Sequence, residues 1–181
     1  MAGKTVTEVR LGSPATSGYA LRAPVGTAEP DTAVAALDPA YVDQGYVSED
    51  GITLDIDGKQ IKIRDWNGDV IAAIEDETSV SLKFTLAQRG EAALKTMYGD
   101  ANVTAASGAV SKYSYTGEQL PYSQWVFELK DKGGPHRLLL HMAQVTAIGS
   151  MEIVKKSVMQ QEVTLELFRN TAGVFFTHLL K

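Results

Sequence analysis

The sequence predicts a mainly β protein: an antiparallel β-sandwich or barrel of eight to ten strands, with one flanking α-helix at about 87–98 and long loops. Three observations carry that prediction. From Glu77 to Leu86 apolar and polar residues alternate strictly. Val80, Leu82, Phe84 and Leu86 fall on one face and Ser79, Ser81, Lys83 and Thr85 on the other, which is the period of a half-buried strand. Directly after it the period lengthens. Ala93, Leu94, Met97 and Tyr98 recur at helical spacing, Thr85 and Gln88 stand in the relation of a capping box, and Gly99 is placed to end the helix. Finally, Asp57-Gly58 and Asn67-Gly68 lie between alternating runs, where such pairs signal hairpin turns.

The other elements follow in chain order. Residues 4–11 alternate weakly and read as a strand or as part of an N-terminal arm covering 1–16, and 18–24 is a short strand. Residues 25–50 hold Pro30 and Pro39 and lack an apolar period, so they form a long loop with a helical turn at Asp31–Leu37 and a role in assembly. A meander follows. Ile52, Leu54 and Ile56 run into the Asp57-Gly58 turn, which sets Leu54 opposite Ile61 and Ile52 opposite Ile63; Asn67-Gly68 then leads into Val70, Ala72 and Ile74. Beyond the helix, strands are expected at 109–113, 122–131, 136–148, 157–168 and 173–180, with Trp125, Phe127 and Leu129 alternating along the second of these and Pro135 preceding the third. No repeat of solenoid or propeller period occurs, and the 181 residues fit one domain.

Composition narrows the function classes. The chain is 44% hydrophobic and 22% charged, an ordinary globular balance, and it has no cysteine, which removes disulfides, thiolate metal sites and a cysteine nucleophile together. No apolar run approaches membrane-span length and Met1–Thr5 has no signal-peptide core, so a cytosolic origin is expected. The net charge of −5 is unevenly placed. Eight acids and no Lys or Arg lie between Glu29 and Asp57, leaving fourteen acids against seventeen bases elsewhere, and Lys59, Lys62 and Arg64 follow at once. Such segregation suits a solvated loop or a surface that meets a basic one on another copy.

Catalytic and metal patterns are missing. There is no G-x-S-x-G elbow, phosphate loop, dinucleotide fingerprint or H-E-x-x-H, and no enzyme is expected. His136 and His141 are five apart in one strand, which sends them to opposite faces. Asp55-Ile56-Asp57-Gly58 begins like a calcium loop, but Trp66 stands where the bidentate glutamate belongs. No cofactor is expected, and Lys155-Lys156 is too short to be a nucleic-acid patch.

Residues 21–51, with Leu21-Arg22-Ala23-Pro24-Val25-Gly26-Thr27-Ala28-Glu29-Pro30 and Leu37-Asp38-Pro39-Ala40-Tyr41-Val42-Asp43-Gln44-Gly45-Tyr46-Val47-Ser48-Glu49-Asp50-Gly51, resemble the opening of the major tail (tail tube) proteins of long-tailed, non-contractile bacteriophages, especially those of actinobacterial hosts. The resemblance continues through Trp66-Asn67-Gly68-Asp69-Val70, Phe84-Thr85-Leu86 and Tyr98-Gly99; the family commonly reads W-G-G-D at the tryptophan segment. It implies a virion structural protein, assembled in the host cytoplasm, whose copies form hexameric rings stacked into a hollow tube. Its partners would be further copies, other tail proteins at the tube ends, and viral DNA passing without specific binding. On that reading Thr53, Asp55, Asp57, Glu162, Thr164 and Glu166 are candidates for the lumen, because carboxylates and hydroxyls do not hold phosphates. Asp38, Tyr41, Asp43, Glu49, Asp50, Lys59, Lys62, Arg64 and Trp66 are candidates for subunit interfaces. The alternative is a monomeric ligand- or carbohydrate-binding β-sandwich of the phage-adhesin type, with Trp66, Trp125, Tyr113, Tyr115 and Tyr122 as a stacking platform. The alternation around Trp125 favours its burial and weakens that platform.

Overall fold

The computed structural model describes residues 12–15, 19–106 and 108–181, so the strand or arm expected at 4–11 lies outside the described residues. The strands are β1 (Ser13–Pro14), β2 (Ala20–Pro24), β3 (Val42–Asp43), β4 (Val47–Arg64), β5 (Val70–Leu86), β6 (Val103–Ala106), β7 (Ala109–Tyr113), β8 (Ser123–Asp131), β9 (Gly134–Ile148), β10 (Gln161–Leu167) and β11 (Phe176–Leu179). The helix α1 (Glu91–Tyr98) is followed by a 3-10 turn at Asp100–Asn102. Nine strands form one antiparallel sheet in the order β3-β2-β8-β9-β10-β5-β4, with β1 on β8 and β11 on β9, while β6 and β7 pair separately.

The sheet coils over itself to make its core. Three strand spacings separate β8 from β5, about 14 Å in a flat sheet, yet the Phe84 ring lies 5.4 Å from Trp125 and 5.5 Å from Phe127, edge to face. Those rings pack with Val80, Leu82, Leu86, Leu140, Val163, Leu165 and Leu167, all essentially inaccessible to water. Each large side chain so buried contributes roughly 1.5–3 kcal/mol. Trp125 is 0% exposed, as its alternation anticipates, and is therefore absent from any binding platform. One extra residue in β9 between Leu140 and Ala143 shifts the register against β8, so that Ala143 and Val145 rejoin the core face.

The helix closes one side of this core with Ala93, Leu94, Met97 and Tyr98. It begins four residues later than expected, and without the capping box: Thr85 is held in β5 opposite Glu162, and Gly90 stands at the N-cap with no side-chain cap. Gly99 does end it, at φ +90°, its N–H bonded to the Lys95 carbonyl.

The 25–50 segment crosses the back of the sheet, where Tyr41 and Leu37 pack with Ala23, Val126 and Leu139 in a second, smaller core. It forms a turn at Thr32–Ala35. Polar contacts fasten it: Arg137 donates to the Thr32 and Ala35 carbonyls and to Glu128, while Glu29 accepts from Gln124 at 2.6 Å and lies 3.0 Å from His141 Nδ1. His136, on the same strand as His141, contacts His178 instead. Pro135 lies inside β9, at its extreme end opposite Lys130, where it disturbs no inner ladder.

Candidate assembly surface

β4 and β5 are far longer than the sheet needs. β10 ends at Leu167 opposite Val80, and beyond that point β4 and β5 pair only with each other, projecting about 30 Å as a two-stranded arm. Asp57-Gly58 is not a turn. It lies within β4 opposite Ser79 and Thr78, and Leu54 faces Leu82 rather than Ile61. The turn is Asn67-Gly68, within Asp65–Asp69: Gly68 takes φ +91° and donates to the Asp65 carbonyl, Asp69 donates to Asp65 Oδ1, and Arg64 reaches the Gly68 carbonyl at 2.8 Å. Trp66 stands at the tip, fully exposed.

This correction inverts the arm's apolar pattern. β4 carries no extra residue between Ile52 and Arg64, so its side chains alternate without interruption. Ile52 and Leu54 share the face of Leu82 and Phe84 and pack on the core, while Ile56, on the same face opposite Val80, is 62% exposed. Ile61 and Ile63 therefore lie on the opposite face, joined by their partners Ile74 and Ala72. Extra residues in β5 at Asp76 and Ile71 accompany the change. Ile61, Ile63 and Ile74 are 49%, 40% and 53% exposed, so this face of the arm is left uncovered by the subunit itself.

The six polar candidates come together. Glu166 pairs with Ser81 and Ser81 with Asp55; Thr164 pairs with Lys83 and Lys83 with Thr53. Asp57 and Glu162 extend those rows at either end, so β4, β5 and β10 present one continuous polar face. Lys83 Nζ meets Asp55 Oδ2 at 3.1 Å. Partial burial first, and the neighbouring Glu77 second, push the Glu166 carboxyl above its ordinary value. The shared field of Glu77 and Glu166 agrees with their position on one face.

The interface candidates fall into separate groups. Lys59, Lys62, Arg64 and Trp66 lie along the arm, with Lys59 opposite Glu77. Asp43, Glu49 and Asp50 are exposed at the other end of the sheet, where Val47 pairs with Leu86. Asp38 accepts from the Ala40 N–H inside the 25–50 segment. Tyr41 is 7% exposed, and burial, then Glu29 and Asp38, push its phenol up to about 12. Its ring is committed to the subunit's own second core. Of the remaining aromatics, Tyr113 and Tyr115 gather on Tyr98, at 4.9 Å and 6.3 Å, with Arg89 over Tyr113, whereas Tyr122 meets Phe168.

What sequence reasoning missed is the isoleucine face of the arm. The shift from even positions at 52–56 to odd positions at 61–63 is its only signal, and a two-residue turn at 57–58 produces the same shift.

Among the described residues no three His, Asp or Glu side chains converge as metal ligands, and no helix is long and apolar enough to cross a membrane. The described residues thus make a coiled antiparallel sheet with a projecting arm and an extended polar face. The chain matches the Phage tail tube protein family over residues 8–181 and belongs to that family. No curated protein matches it. Among solved structures it is similar to the tube-terminating cap of the anti-feeding prophage, at 14% identity and a TM-score of 0.49 over all of both chains. It is also similar to a chain of the sheath–tube complex of an extracellular contractile injection system, PVC, at 11% identity and a TM-score of 0.44, covering 99% of this chain and all of that one.

Proposed function

We propose that this tail tube protein assembles into hexameric rings stacked head to tail, forming the tube of a long-tailed, non-contractile phage through which DNA is ejected. The observation that carries this reading is the asymmetry of the subunit. The arm with Lys62, Arg64 and Trp66 leaves one end, and exposed Glu49 and Asp50 lie at the other. Exposed bases on one face of the arm and exposed acids at the opposite end suit a heterologous contact, which propagates in one direction instead of closing a dimer.

The β4–β5–β10 polar face forms the tube wall. Its carboxylates and hydroxyls repel or ignore phosphates, whereas a basic wall would bind the polyanion by counterion release and stall it. The 25–50 loop, fixed on the outer side of the sheet, borders neighbouring subunits. Other tail proteins cap the tube ends.

Light scattering on size-exclusion fractions, followed by negative-stain microscopy, tests the assembly. Rings and tubes are expected, and a compact monomer at every concentration would overturn the reading. Asp55→Lys with Glu166→Lys tests the wall: tubes still form but DNA passage slows or stops. Normal infectivity would remove these residues from the lumen.

A further inference from the structure

The inverted apolar face of the arm needs a cover, and the opposite end of the subunit supplies a surface of matching chemistry. Between β9 and β10 the chain makes a twelve-residue loop, 149–160, anchored by Gly149 N–H on the Glu162 carbonyl and folded by a turn at Val154–Ser157. It exposes Ile153 (68%), Val154 (47%) and Val158 (62%) to solvent, with Lys155 and Lys156 between them. Gln161, where β10 begins, pairs with Leu86, so the loop sits at the end of β5 remote from the arm. The two exposed apolar surfaces therefore cannot reach each other within one copy. Their net charges are opposite: the loop has Lys155 and Lys156 against Glu152, and on the isoleucine face of the arm Asp57 and Glu77 stand against Lys59.

We infer that the arm of one copy docks on the 149–160 loop of a second copy, Ile61, Ile63 and Ile74 covering Ile153, Val154 and Val158 while Lys155 and Lys156 meet Asp57 and Glu77. This rests on the head-to-tail assembly proposed above and names its acceptor. Apolar side chains supply the association energy, and the charges set direction and register. Every copy carries one arm and one loop at opposite ends, so the contact adds subunits without limit. The neighbouring corner with Glu49 and Asp50, two strands from the loop and about 10 Å away, lies alongside to meet Lys62 and Arg64 on the arm's other face.

The absence of cysteine makes the test clean. Ile74→Cys combined with Val154→Cys, treated with a short bismaleimide after assembly, is expected to give a ladder of dimers, trimers and longer species, and each single variant at most a dimer. Lys155→Glu with Lys156→Glu should raise the concentration needed for assembly by about tenfold, and adding Asp57→Lys with Glu77→Lys should restore it. Wild-type tubes whose double-cysteine counterpart assembles but gives no ladder would overturn the docking and leave the assembly standing. Cross-linking of Ile74→Cys to Val6→Cys in place of Val154→Cys would assign the arm to the N-terminal segment instead. Wild-type protein that never assembles would overturn both.

Discussion

The two halves of the β4–β5 hairpin are built from similar residues and do different work. In the basal half Ile52, Leu54, Val80, Leu82, Phe84 and Leu86 point into a core closed by Trp125, Phe127 and α1. In the distal half Ile61, Ile63 and Ile74 point the other way and meet solvent. The β4–β5 ladder runs through both, but only the basal half of β5 is also paired to β10. The difference is one of phase, and it separates the part of the hairpin that folds the subunit from the part that we propose joins it to others.

The strongest way to break this comparison is Phe84→Ala. It removes a ring that touches both Trp125 and Phe127, and is expected to cost about 3–5 kcal/mol and most of the soluble subunit. Wild-type denaturant stability would show that the basal half is not core. Ile61→Ser with Ile74→Ser should do the converse: unfolding free energy within about 0.5 kcal/mol of wild type, as for exposed sites generally, but assembly abolished by light scattering. A large loss of monomer stability would mean that the distal half also serves folding.

A smaller effect concerns Glu166. Its carboxyl titrates above the usual value in the folded chain, so folding favours the protonated form, and this contribution is complete below the unfolded value near 4.5 and fades as pH rises through the folded one. Glu166→Gln should therefore lose that acid-side gain and equal or exceed wild type at pH 7. Parallel melting curves for the two proteins from pH 4 to 7 would contradict it. The smallest effect belongs to Lys83→Met, which breaks the 3.1 Å pair with Asp55; because both groups are about half exposed, less than about 0.5 kcal/mol of stability should be lost in chemical denaturation.

The strands were largely legible because alternation over Ser79–Leu86, Trp125–Leu129 and Gln161–Leu167 reports burial directly. Two local signals lost to tertiary pairing. Asp57-Gly58 has turn chemistry, but β5 offers partners along the whole of β4, and Gly58 fits the strand opposite Thr78. Thr85 has capping chemistry, but β10 holds it in the ladder. The six polar positions were readable as strand faces, while their union across β4, β5 and β10 depends on strand order, which no local pattern encodes. The buried ties of Arg137, His141 and Glu29 escaped for the same reason: they join residues about a hundred positions apart.

The division of the hairpin is tested most directly by amide hydrogen exchange on the monomer and on assembled tubes. An isolated two-stranded ribbon is marginal in water, so amides of residues 59–77 should exchange rapidly in the monomer, while those of 80–86, flanked by β4 and β10, are protected. In tubes the distal amides should become protected and the basal ones stay as they were. Equal protection of 59–77 in monomer and tube would contradict the account.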